Sequence, residues 1–139
     1  MRKIERQIIE KINLIIDIRK ERGYFDDTLE VLSVRDSIKY SHKEDVIEYT
    51  LHASEIFRYY IAKDKIQFTF NGYDTQTTKQ RLNVLLSFFC NIVVFKRNGK
   101  LYLKDVNNNI ININNTEVIE STETYEISCK SGIITRKLL

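Results

Sequence analysis

The chain has little of what most enzyme signatures are built from. Its four glycines stand alone at positions 23, 72, 99 and 132, so no glycine-rich phosphate loop exists and nucleotide binding has no support. The two cysteines, Cys90 and Cys129, are 39 positions apart, with no Cys-x-x-Cys spacing. That excludes a zinc ribbon or a disulfide framework and predicts two buried, reduced thiols. The two histidines fall in a polar loop (His42) and in a strand (His52), and neither sits in a nucleophile motif. His52 could meet Asp74 or Glu55 as an acid–base pair, but a structural histidine is the plainer reading. There is no His-x-x-x-His and no acidic calcium loop. The sequence thus predicts no catalytic set, no metal site and no cofactor. Proline and tryptophan are absent while Ile, Asn and Lys abound, a bias that fits an AT-rich genome.

Long apolar runs are missing too. No window approaches the ~20 apolar residues that a membrane-spanning helix requires. Met1 to Lys11 alternates charged and apolar residues, unlike a secretory signal. The expectation is a chain without membrane contact, cytoplasmic in the cell that makes it.

What is present suits an ordinary globular protein. With 139 residues, 42% hydrophobic and 29% charged, the chain is expected to form a single domain over residues 1–139. The net charge is +3, but it is unevenly spread. Thr75 to Lys104 holds Lys79, Arg81, Lys96, Arg97, Lys100 and Lys104 and no carboxylate, so the rest of the chain is net acidic. A one-signed segment points to an anionic partner or to a solvated face.

The pattern predicts an α+β fold. Ile4, Ile8, Ile12, Ile15 and Ile18 recur at helical spacing, with Ile9 and Ile16 widening the stripe, over a helix from Arg2 to Arg22 that Gly23 stops. Short strands follow. Leu29 and Val31 point one way, an Arg35-Asp36-Ser37 turn leads to Ile38 and Tyr40, and Val46–Leu51, Ile56–Ile61 and Ile66–Phe70 complete an antiparallel meander. Asn71-Gly72 breaks the last strand, and Asp74 or Thr75 caps a second helix from Gln76 to Phe89. Its inner face is Leu82, Leu85, Leu86 and Phe89, with Arg81 and Asn83 at the margins. Asn98-Gly99 between Val93–Arg97 and Lys100–Leu103 is a strong hairpin signal. Beyond it, strands are expected at Ile110–Ile113, Tyr125–Ser128 and Ile133–Thr135. Glu117, Glu120, Glu123 and Glu126 read as solvated carboxylates in strand or loop.

Leu51-His52-Ala53-Ser54, the strand Lys65–Asn71, Gly72-Tyr73, Thr75-Gln76-Thr77-Thr78-Lys79, Arg81-Leu82-Asn83 and Lys100-Leu101-Tyr102 occur in an order that resembles a family of small tailed-bacteriophage proteins. That family shares Leu-His-Gly-Asn and Gly-Trp-x-Thr-x-Thr-Thr-Lys/Arg-x-Arg-Leu-Asn. The likeness covers Val46 to Lys104. It departs at Tyr73 for Trp, at Gln76 for Pro, and at Ala53-Ser54 for Gly-Asn. It implies a phage or prophage origin and no particular activity.

Together these features predict a non-enzymatic binding protein that inhibits a host defence factor, of anti-CRISPR or anti-restriction type. The expected contact residues are Tyr73, Lys79, Arg81, Lys96, Arg97, Lys100 and Tyr102. The expected partner is a host protein, such as a nucleic-acid-handling complex, met by a monomer or homodimer. The alternative is a small regulator that binds nucleic acid directly through the helix start and the hairpin tip.

Overall fold

A computed structural model describes residues 2–137. Helix α1, Lys3–Arg22, buries Ile8, Ile12, Ile15 and Ile16, and ends at Gly23 in the left-handed conformation that glycine adopts without steric cost. Among the described residues ten strands follow: β1 Thr28–Val31, β2 Asp36–Ser41, β3 Val46–Leu51, β4 Ser54–Tyr60, β5 Lys65–Thr69, β6 Val93–Arg97, β7 Lys100–Lys104, β8 Val118–Ile119, β9 Thr124–Ser128 and β10 Ile134–Lys137. Helix α2, Gln76–Cys90, lies between β5 and β6.

The strands form two antiparallel sheets. The larger runs β1-β2-β3-β4-β5-β9-β10 and the smaller β6-β7-β8. On the large sheet, strand alternation divides the residues cleanly. Ile38, Ile47, Tyr59, Ile66 and Ile127 face a core, while Lys39, Glu48, Arg58, Gln67 and Glu126 make a polar, mostly charged ladder on the other side. Both helices contribute to that core, with Phe89 of α2 seated on the rings of Phe57 and Tyr59. Val94, Leu101 and Leu103 of the small sheet belong to the same apolar cluster.

The expected α+β arrangement, with its N-terminal and central helices, is the one observed. Four local expectations need correction. Asp36 and Ser37 are not a turn but the start of β2; the turn lies earlier, where the Leu32 and Ser33 N–H groups donate to the Asp36 carbonyl. Ile110–Ile113 is not a strand. It contributes only isolated bridges, Lys104↔Ile110 and Ile113↔Thr116, because Asn108, Asn114 and Asn115 take positive φ and turn the chain repeatedly. His52 lies in the loop between β3 and β4 and not in a strand, whereas Val118-Ile119, expected as strand or loop, forms the short strand β8. The cysteines are half-buried rather than buried.

Candidate functional site

The start of α2 is built by Thr75. Its hydroxyl accepts the Thr78 N–H at 3.1 Å, satisfying one of the helix's otherwise unpaired donors. One turn on, Arg81 is 3% exposed instead of lying at the margin. Its Nε donates to Asp36 Oδ1 at 2.7 Å, and the same carboxylate accepts from Ser33 Oγ at 2.7 Å and from the Tyr49 hydroxyl. Burial pushes the Asp36 carboxyl up, but the bonds from Arg81, Tyr49 and Ser33 outweigh it and hold it below its ordinary value. Burial and the bond to Asp36 push the Tyr49 phenol far upward. Arg81 thus pins α2 to the large sheet and is unavailable to a partner as the structure stands.

Above this knot several of the segments that carried the phage resemblance meet. Leu51, His52 and Ser54 from the β3–β4 turn face Tyr73, Thr75, Thr77 and Thr78 across a cavity of about 350 Å³, floored by Ile56 and Phe70. Its rim is strained. His52 and Ala53 have φ of 51° and 64°, the left-handed region that a two-residue hairpin loop imposes and that alanine disfavours. A bulge helps shape the wall: Tyr49 pairs with Phe57 and Thr50 with Glu55, so Ile56 is the extra residue. Tyr73 is 60% exposed at the mouth. The imagined partners of His52 are engaged elsewhere, Asp74 with Lys96 at 2.9 Å and Glu55 with Arg58.

The basic segment divides between the two faces of the small sheet. Phe95 pairs with Tyr102 and Arg97 with Lys100, so these four side chains share one face with Lys104, which stands opposite Val93. On that face the Phe95 and Tyr102 rings stack at 5.6 Å. Arg97 lies over Tyr102 at 5.3 Å, and Lys104 over Phe95 at 5.1 Å. The result is a stripe of cation, ring, ring and cation, with Lys100 exposed beside it. Among the described residues, Arg97, Lys100 and Lys104 form no ion pair. Lys96 points the other way and is held by Asp74.

Of the seven contact residues expected from sequence, Arg97, Lys100 and Tyr102 therefore lie together. Tyr73 stands at the cavity, Lys79 is half-buried on α2, Lys96 is paired, and Arg81 is internal. Phe95 and Lys104, which are not among those seven, share the face of Arg97 and Tyr102. The Asn98-Gly99 loop fixes the register of the two strands, and alternation from it places both on the face of Arg97 and Tyr102. Among the acidic residues, Glu126 is not free: Lys65 Nζ donates to it at 2.6 Å and Gln67 at 2.9 Å. Among the described residues no helix is long and apolar enough to cross a membrane.

The family model described as Kyanoviridae Gp96 protein matches residues 1–126. No curated protein and no solved structure matches the chain. The match spans most of the sequence, so the chain belongs to the Kyanoviridae Gp96 family, a family of phage proteins.

Proposed function

We propose that this phage protein is a non-enzymatic binding protein whose working surface is the outer face of the small sheet, and that the surface takes single-stranded nucleic acid. The observation that carries the reading is the Lys104–Phe95–Tyr102–Arg97 stripe. An unpaired base would enter the stripe by displacing Arg97 or Lys104 from the ring face it covers, and these cations, which have no carboxylate partners, would turn to the phosphates. A merely solubilising surface needs charge but no aromatic pair beneath it.

The test is fluorescence anisotropy of short labelled single strands and duplexes over a salt series. Three free cations predict a log–log salt slope of about −2 for a single strand. Tyr102→Ala or Phe95→Ala should each weaken single-strand binding on the order of tenfold, with less effect on duplex. No binding at low salt would sink the reading.

Membership in a phage family favours a second reading. The same face meets a host defence factor, of anti-CRISPR or anti-restriction type, and occupies its nucleic-acid path. Under that reading free strands stay unbound. A host protein copurifies with the wild-type chain and is lost with Arg97→Ala and Tyr102→Ala.

A further inference from the structure

Cys90 is the last residue of α2, and Cys129 follows the last residue of β9. The fold brings these distant positions together until their sulfurs are 3.8 Å apart, within S–H···S hydrogen-bonding range. Both residues are half-buried and neither is sealed in the core. We propose that Cys90 and Cys129 form a reversible dithiol site, oxidised to an intramolecular disulfide by small-molecule disulfides such as oxidised glutathione.

The geometry needs little adjustment. A disulfide requires sulfurs about 2 Å apart, so an approach of under about 2 Å suffices. Cys90 lies where the backbone can supply it. Asn91, at φ 56°, ends the helix immediately after Cys90. Cys129 leads a turn closed by the Gly132 N–H to the Ser128 carbonyl. The far side of the site is firm: Asp64 accepts the Cys129 N–H through its carbonyl and the Tyr59 hydroxyl through its carboxylate.

The order of attack follows from the hydrogen bond between the two thiols. Either thiol can donate in that contact; with the Cys90 S–H donating, the Cys129 thiol is lowered from its usual range, while that bond and burial push Cys90 up. The Cys129 thiolate attacks one sulfur of oxidised glutathione, forming a mixed disulfide and releasing one glutathione thiolate. Cys90 then loses its proton to solvent and attacks Cys129 Sγ, releasing the second glutathione. Two protein thiols are oxidised and one glutathione disulfide is reduced. The bond would staple the end of α2 to the large sheet three residues before β6 begins, so it would fix the root of the small sheet.

The experiment is incubation of the full chain with graded ratios of oxidised to reduced glutathione, followed by intact mass and non-reducing peptide mapping. The expected product is a monomer lighter by two hydrogens, with the Cys90 and Cys129 peptides joined and the link reversed by dithiothreitol. Closing so long a loop should raise the melting temperature on the order of 10 °C. Cys90→Ser should leave Cys129 carrying a stable glutathione adduct, which reports the first attack directly. The proposal is overturned if wild-type protein takes separate adducts on the two residues, links only between molecules, or stays reduced at the most oxidising ratio.

Discussion

Replacing Asp36 with Asn isolates the strongest polar joint between α2 and the sheet. The carboxylate is wholly shielded from solvent, and the Arg81 side chain it receives is 4% exposed. The substitution keeps the shape, removes the charge and turns one acceptor oxygen into an NH2 group among groups that already donate: Arg81, Ser33 and Tyr49. Arg81 becomes a buried cation without a counter-charge. Breaking one side of a buried ion pair costs about 3–5 kcal/mol. Proteins of this kind have only about 5–15 kcal/mol of net stability. Asp36→Asn should therefore lower the melting temperature by about 10–15 °C. Urea denaturation at neutral pH, followed by circular dichroism, reads the same loss as a shifted midpoint with an unchanged slope.

The double variant Asp36→Leu/Arg81→Met removes both charges and should recover more than half the loss, since well-packed apolar replacements of buried pairs are often neutral or better. A loss below about 1 kcal/mol in Asp36→Asn would refute the account of Arg81 as a buried anchor. Acid supplies an independent check. Asp36 has a folded pKa below its ordinary 3.8. Its contribution is therefore complete above the unfolded value and disappears as pH falls below about 4 through the folded one. The loss should be smaller in Asp36→Asn than in the wild-type protein, the remainder coming from Asp45 and Glu126, whose carboxyls are also held below their ordinary values.

Two further outcomes are expected. The His52-Ala53 turn has the backbone of the Asn98-Gly99 turn, with positive φ at both loop positions, but lacks the residues that accept it. Replacing it by Asn-Gly should stabilise the protein by about 1 kcal/mol in thermal melts, and no gain would show the strain is absent. At high pH, Tyr40, raised to about 12 by burial and by its bond to Asp45, keeps its proton after an unfolded tyrosine, near 10, has lost its own. Its contribution is full below pH 10 and lost as pH rises toward 12; a pH titration by circular dichroism should show unfolding in that window, and a flat profile would contradict it.

The sequence revealed most where periodicity was unbroken. The isoleucine stripe of α1, the alternation of Ile66, Phe68 and Phe70, and the Asn98-Gly99 hairpin each obey a local rule that packing merely reinforced. What was hidden depends on long-range contact. Arg81 meets Asp36 from 45 positions away, and Cys90 meets Cys129 from 39. Neither partnership leaves a trace in spacing, and a basic residue on a helix looks solvated until its partner's position is known. The Ile56 bulge was hidden for another reason: the extra residue is apolar on both sides of the shift, so the run Ile56-Phe57 reads as ordinary strand.

The order of the large sheet has a consequence for how the chain is made. β5 and β9 are direct neighbours, with Thr69 opposite Thr124, yet α2 and the whole small sheet are synthesised between them. On a ribosome adding roughly 5–20 residues per second, the β5 edge waits several seconds for its partner to emerge. During that interval Ile66 and Phe68 belong to an unpaired edge, the kind of strand that captures other chains. Helix α2, which emerges first, packs over that same core and can cover it while the edge stays open. Newly made chains are therefore most exposed to misassembly before residue 124 appears, and a truncation ending just after the small sheet should aggregate although nearly all of the core residues are present.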